Sequence, residues 1–281
     1  MQPANLPTFQ LGLIGYPLGH SLSPKIHTAA LRSCGLAGDY SLFPIQPDDK
    51  QGLQDLLNRV RAGEIQGLNV TVPHKQNVIP LLDELTPTAQ AIGAVNTIYL
   101  RNNKLIGDNT DAQGFLADIK CIFNFSSFSL QPSALIIGAG GSARAIAYAL
   151  LNDGWQVAVS ARRIEQVQQL AASFTNNKLR ITVNIANIEL SNIGLIVNTT
   201  PLGMSPNTDQ SPWPENLPFP NAAIYDLVYN PRETKLVKDA RLQGLQATTG
   251  LGMLIEQAAF AFEIWTGHGA SREALWNAVG D

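Results

Sequence analysis

Apolar residues recur along this chain in two different rhythms. Over its first part, short apolar runs alternate with amphipathic stretches. Leu11–Gly15, Tyr40–Ile45, Gly67–Thr71 and Ala94–Leu100 read as strands, and Pro24–Cys34, Asp48–Arg61 and His74–Asp83 as helices. Asn102-Asn103, between Leu100 and Leu105, is hairpin-turn chemistry, which predicts a mixed sheet. A helix is expected over Ala112–Phe123. The polar, serine-rich stretch Ser126–Ser133 then reads as the connection between two domains.

From Ala134 the pattern becomes strand–helix repetition. Strands are predicted at Ala134–Ile137, Gln156–Ser160, Arg180–Val183, Ile193–Val197, Ala223–Asp226 and Leu245–Ala247, with helices at Ser142–Asn152 and Ile164–Phe174. Alternation of this kind implies a parallel sheet covered on both faces. Pro201, Pro206, Pro212, Pro214, Pro218 and Pro220 fall in one stretch, which predicts a long surface loop. Leu251–Trp265 and Ser271–Val279 read as closing helices that return to the first domain. The fold class is α/β.

Composition narrows this picture. A chain of 281 residues can bury two such cores. Its 45% hydrophobic and only 15% charged residues argue against a disordered chain. A net charge of −3 argues against a nucleic-acid partner, because nothing draws in a phosphate backbone. The most apolar stretch, Ala134–Leu151, is interrupted by Gly138, Gly140, Gly141, Ser142 and Arg144, so no membrane association is expected. Met1–Gln10 has no basic segment leading into an apolar core and does not read as a signal peptide. Cys34 and Cys121 lack CxxC or metal-ligand spacing. They fit free thiols in a reducing cytoplasm, with no metal site.

Gly138-Ala139-Gly140-Gly141-Ser142-Ala143 follows a predicted strand and opens a predicted helix. This is a G-x-G-x-x-A dinucleotide fingerprint in its required context, so the second domain should be Rossmann-type. Gly138 would make the tight turn and Gly140 admit a pyrophosphate. Ala143 would let helix and strand pack closely, and the N–H groups at the helix start would face the phosphates. An NAD site wants an acidic residue about 20 positions on. Here that region reads Ala161-Arg162-Arg163. Two arginines are either a solvated helix start or a clamp for a 2′-phosphate; the position favours the clamp and hence NADP.

In the first domain, Ser23 and Pro24 are explained fully as N-cap and first helical residue, with Gly35 as the stop. Alternatively the Ser21 and Ser23 hydroxyls hold a substrate carboxylate beside a helix N-terminus. Asn69 and Thr71 share one face of a strand. Lys75 falls in the first turn of the next helix, where the dipole disfavours a cation, and that mismatch hints at function. Asn96 is a polar residue within a predicted strand. Asp111, in Asp108-Asn109-Thr110-Asp111, is either a helix cap or part of a site.

Seven motifs now stand in order. They are G-x-P-x-x-H-S-x-S-P from Gly15, N-V-T-x-P-x-K from Asn69, D-N-T-D from Asp108 and the G-A-G-G turn. N-T-T-P-x-G-M from Asn198, Y-D-x-V-Y-x-P from Tyr225 and G-x-x-M-L-x-x-Q from Gly250 complete the set. Together they resemble the shikimate dehydrogenase family, over Leu11 to about Gly267. The resemblance implies a substrate-binding domain over 1–111, completed by 251–281, and a Rossmann NADP-binding domain over 112–250, with a cleft between them. Ser21 and Ser23 then bind the carboxylate of shikimate, with Tyr229 nearby. Asn69, Thr71, Asn96 and Gln257 bond the ring hydroxyls, and Lys75 with Asp111 forms the catalytic pair at the reacting carbon. Gly138 to Ala143 and Ala161 to Arg163 hold the phosphates. Asn198, Thr199, Thr200, Met204, Leu227, Gly250 and Met253 lie on the nicotinamide side.

The implied reaction is reversible reduction of 3-dehydroshikimate by NADPH, on the route to chorismate and the aromatic amino acids. The runner-up is a quinate/shikimate dehydrogenase that uses both NAD and NADP. The resemblance also allows a homodimer through the first domain. This chain departs from the family pattern at Ala161, where Asn is common, at Arg163, where Thr is common, and at Ala112, where Gly is usual. The first two leave the strictness of the NADP preference open.

Overall fold

The computed structural model describes residues 8–123, 132–174, 179–182, 185 and 188–280. The start of the chain and most of Ser126–Ser133 therefore lie outside the described residues. The chain divides into two compact units, Met1–Thr110 with Ile255–Asp281, and Asp111–Leu254.

In the first unit β1 (Phe9–Gly15), α1 (Ser23–Ser33), β2 (Gly38–Pro44), α2 (Lys50–Arg61), β3 (Gly67–Val70) and α3 (His74–Asn77) follow one another. Then come β4 (Glu84–Leu85), α4 (Pro87–Ile92) and the hairpin β5 (Thr97–Arg101) and β6 (Lys104–Asp108). The sheet order is β2-β1-β3-β5-β6-β4. β1 pairs parallel with β2 and β3, whereas β5 is antiparallel to β3 and β6, so the sheet is mixed. Asn102 and Asn103, at φ of 51° and 60°, make the left-handed turn that the hairpin requires. α2 shows how the core forms. Asp49 caps it by accepting the Gly52 N–H, and Leu53, Leu56, Leu57 and Val60 fall on one buried stripe. Each contributes roughly 1.5–3 kcal/mol on burial against Ile14, Leu68 and Ile98.

Several expectations need correcting here. The helix predicted over His74–Asp83 is α3, a single turn, followed by a 3-10 turn over Ile79–Leu81. Pro80 supplies no N–H to continue a longer helix. One turn carries little macrodipole, so the helix-dipole argument for Lys75 lapses. Ser23 is not an N-cap: α1 begins at Ser23 with Leu22 in the cap position, and the Ser21 hydroxyl accepts the Ser23 N–H at 3.2 Å. Asn96 lies just before β5 rather than within a strand.

The second unit holds α5 (Asp111–Ile122), β7 (Ser133–Ile137), α6 (Gly141–Asn152), β8 (Gln156–Ser160), α7 (Ile164–Ala172) and β9 (Leu179–Thr182). β10 (Ile193–Asn198), β11 (Ala223–Asp226), α8 (Lys235–Leu242) and β12 (Ala247–Thr249) follow. α9 (Leu251–Thr266) starts in this unit and runs into the first, where α10 (Arg272–Val279) packs on α1. All six strands are parallel, in the order β12-β11-β10-β7-β8-β9. Numbered from β7, that is the 3-2-1-4-5-6 order of a Rossmann sheet, with its switch point between β7 and β10. The change of unit falls at Thr110/Asp111, before α5, not at Ser126–Ser133. β12 lies two residues later than expected. The proline-rich loop is anchored by Trp213, which is buried, stacks on Phe219 and donates its indole N–H to Leu217 O at 2.8 Å. No described helix is long and apolar enough to cross a membrane.

Candidate active site

β1 and β3 are parallel neighbours, so the loops that leave their carboxyl ends share one edge of the first sheet. The Thr71 N–H donates to Ile14 O at 2.8 Å and the Tyr16 N–H to Val72 O at 2.9 Å. This edge gathers Ser21, Ser23, Asn69, Thr71 and Lys75. Asn69 is buried and held from below: the Tyr40 phenol donates to its Oδ1 at 2.8 Å, and its Nδ2 donates to Asn96 O at 3.3 Å. The Tyr40 ring stacks face to face on His27, with centroids 4.4 Å apart. His27 is fully buried, and burial pulls its imidazole down to about 3, with Asn69 nearby opposing the shift.

Asn96 joins a second group to this edge. Its Oδ1 accepts the Thr110 N–H at 2.8 Å and the Thr97 hydroxyl at 2.9 Å. Its Nδ2 donates to Thr110 Oγ1 at 2.9 Å and to Gln257 Oε1 at 3.3 Å. Gln257 thus reaches the site from α9, 161 residues away in sequence. Lys75 is only 9% exposed. Its carbonyl accepts the Val95 N–H at 2.7 Å, and the neighbouring His74 ring donates from Nε2 to Ile45 O at 2.7 Å, which ties the α3 turn to the end of β2. Asp111, 4% exposed, opens α5 and belongs to the second unit, as does Tyr229 in the loop after β11. Sequence reasoning missed His27, Tyr40, Thr97 and Thr110. The Tyr40–Asn69 bond spans 29 positions and leaves no spacing signal.

In the second unit the loops after β7 and β10 flank the switch point. Gly138, at φ +119°, turns the chain. A Cβ there would collide with Thr199 Oγ1, whose hydroxyl donates to Ile137 O at 2.8 Å. The Gly138 N–H donates to Ser160 O at 2.7 Å, which places the end of β8 beside this turn. A Cβ on Gly140 would meet nothing within 4 Å, and no side chain caps α6. An open approach to the start of a helix, where the N–H groups point along the axis, fits a pyrophosphate. Arg162 and Arg163 follow β8 and are exposed, in no ion pair among the described residues, as a 2′-phosphate clamp needs. Leu227 approaches Gly250 so closely that a Cβ there would meet its carbonyl oxygen. Met253 is buried, with its N–H donating to the Tyr225 hydroxyl at 3.3 Å, and Met204 is exposed.

Asn198 needs a correction. It is fully buried, its Oδ1 accepts the Thr200 N–H and hydroxyl, and its Nδ2 donates to Asp226 and Leu202 O. No position on the amide is left for a ligand, so its side chain shapes the loop instead. Asp226, Thr234 and the buried pair of Asp118 and Tyr225, bonded at 2.5 Å, were not foreseen either. Among the described residues no cluster of His, Cys, Asp and Glu could hold a metal ion.

A Rossmann unit with an open glycine turn, coupled in one chain to a mixed-sheet unit rich in buried amides, defines a two-domain dinucleotide-dependent oxidoreductase. Three family models match: the shikimate dehydrogenase substrate binding domain over residues 13–98, shikimate/quinate 5-dehydrogenase over 124–201, and the shikimate 5'-dehydrogenase C-terminal domain over 250–279. The chain is 38% identical over 271 residues to the shikimate dehydrogenase (NADP(+)) of Bacillus subtilis strain 168, covering 95% of each. It is 40% identical over 265 residues to that of Synechocystis sp. PCC 6803, covering 91% of this chain and 89% of the relative. Among solved structures, shikimate 5-dehydrogenase from Thermus thermophilus in complex with NADP(H) and shikimate superposes with a TM-score of 0.84 at 37% identity. That match covers 96% of this chain and 98% of the other. The chain belongs to the shikimate dehydrogenase family.

Proposed function

We propose that this protein catalyses the reversible, NADPH-dependent reduction of 3-dehydroshikimate to shikimate. The observation that carries this reading is the buried amide edge of the first unit, Asn69 and Asn96 with Gln257, next to the Ser21–Ser23 turn and Lys75. A ring bearing several hydroxyls and one carboxylate is what such a set of neutral donors and acceptors recognises. Quinate with dual cofactor use is not favoured: the relatives in Bacillus subtilis and Synechocystis are named for shikimate and NADP(+).

NADPH, when bound, supplies the hydride. The chain's own residues do the rest. Ser21 and Ser23 take the carboxylate, with Tyr229. Asn69, Thr71, Asn96 and Gln257 fix the ring hydroxyls and so the face that the reacting carbon presents. Lys75 donates to the oxygen at that carbon as charge develops on it, and Asp111 accepts from the hydroxyl that results. On the cofactor side, the turn from Gly138 to Ala143 takes the pyrophosphate, and Arg162 and Arg163 take the 2′-phosphate beside Ala161. Thr199, Thr200, Met204, Leu227, Gly250 and Met253 border the nicotinamide. The first unit is thus the substrate-binding domain and the second the NADP-binding domain. Two free cysteines, Cys34 and Cys121, suit a cytoplasmic protein, and the family resemblance allows a homodimer through the first domain.

Lys75→Ala should lower kcat on the order of 10²-fold or more, with the Kd for NADP+ unchanged. Steady-state kinetics with shikimate and NADP+ checks this, and a near-normal kcat would refute the role of Lys75.

A further inference from the structure

Asp226 ends β11 and has no exposed surface. It is a carboxylate whose partners are all neutral. Its Oδ1 accepts from Asn198 Nδ2 at 2.8 Å and from the Val228 N–H at 3.0 Å, and its Oδ2 accepts from the Thr234 hydroxyl at 2.7 Å. Thr234 is the N-cap of α8, and Val228 lies in the loop that carries Leu227 and Tyr229. One side chain therefore joins the end of β10, the loop after β11 and the start of α8. Burial pushes its carboxyl up to about 6 against the three hydrogen bonds, so keeping a charge there is costly.

An asparagine of the same shape would avoid that cost, but with its oxygen on Asn198 Nδ2 and the Val228 N–H it would make only neutral bonds, which hold the Asn198 amide less firmly. A carboxylate only accepts. Beside Asp226, Asn198 must turn its Nδ2 inward, and its Oδ1 must then face the Thr200 N–H at 2.9 Å and hydroxyl at 2.7 Å. The reverse orientation would set an NH₂ group against the Thr200 N–H and open the turn. We propose that Asp226 is a positioning residue for the cofactor, which locks the Asn198 amide and thereby shapes the Thr199–Met204 loop. This rests on reading the second unit as the NADP-binding domain.

The test compares wild type with Asp226→Asn. Kd for NADP+ would come from NADP+ titration, Kd for shikimate from calorimetry, and folding from thermal melts. Asp226→Asn should raise the Kd for NADP+ about 10-fold or more, as expected for a lost charge-assisted bond, while the Kd for shikimate stays put. A folded Asp226→Asn variant with wild-type NADP+ affinity overturns the proposal. So does parallel loss of both ligands, which would mark a general packing role. If Asp226→Asn does not fold, Thr234→Val decides: about a 3-fold weaker NADP+ complex, reversed in Thr234→Ser, supports the lock, and no change overturns it. Failure of the wild type to bind NADP+ would instead remove the NADP-binding reading on which the lock depends.

Discussion

His27 shows how much of a binding edge lies one layer below the residues that touch a ligand. Its ring is fully buried, and its stack with Tyr40 sets the phenol that orients Asn69. An unfolded histidine titrates near 6.5, and in the fold this one titrates at about 3. Between those values the unfolded chain binds a proton that the folded chain refuses. Its stability contribution is therefore full above pH 6.5 and falls as the pH drops through that window. At pH 5 the loss from this group alone is about 2 kcal/mol. His27→Phe should keep the stack and remove that loss. Melting curves at pH 7 and pH 5 would show a smaller drop for the variant than for the wild type, and equal drops would contradict it. Residue identity was only partly legible in the sequence. Asn69 and Asn96 stand out as polar residues among apolar neighbours, yet Tyr40 does not, because an aromatic residue in a strand is ordinary core. Asn198 was visible as a polar strand end, but ligand and scaffold look the same until its bonding partners are counted.

At the scale of elements, the Rossmann half was the easier to read. Its parallel strands are buried on both faces and stand as near-continuous apolar runs, so β7, β8, β10 and β11 fall where the pattern puts them. The first unit hides short pieces: β4 has two residues and α4 six, too few to show a period. α3 lost its expected length to Pro80, and α8 was overlooked although Thr234 caps it. The loop from β8 to α7 carries the cofactor preference. Replacing both Arg162 and Arg163 by alanine should weaken NADP+ binding about 10- to 100-fold and NAD+ binding much less, since only NADP+ brings a 2′-phosphate. Titrating both cofactors into the variant tests this, and equal losses would sink the clamp.

For the molecule as a whole, a low charged fraction proved informative. The residues assigned to the substrate are mostly uncharged Ser, Thr, Asn, Gln and Tyr, and the charges assigned to function are few: Lys75 and Asp111 at the chemistry, Arg162 and Arg163 at the phosphate. The division into units was only partly legible. A serine-rich stretch looks like a linker, but α5 gathers with the second unit through Phe115 on Tyr225 and the Asp118–Tyr225 bond, contacts no local pattern announces. The most direct test of the proposed activity is initial rates at 340 nm for the purified protein with shikimate or quinate, each with NADP+ or NAD+. The highest kcat/KM should belong to shikimate with NADP+, with quinate or NAD+ each lower by an order of magnitude or more. No reduction of NADP+ by shikimate, or equal efficiency with quinate and NAD+, would contradict it.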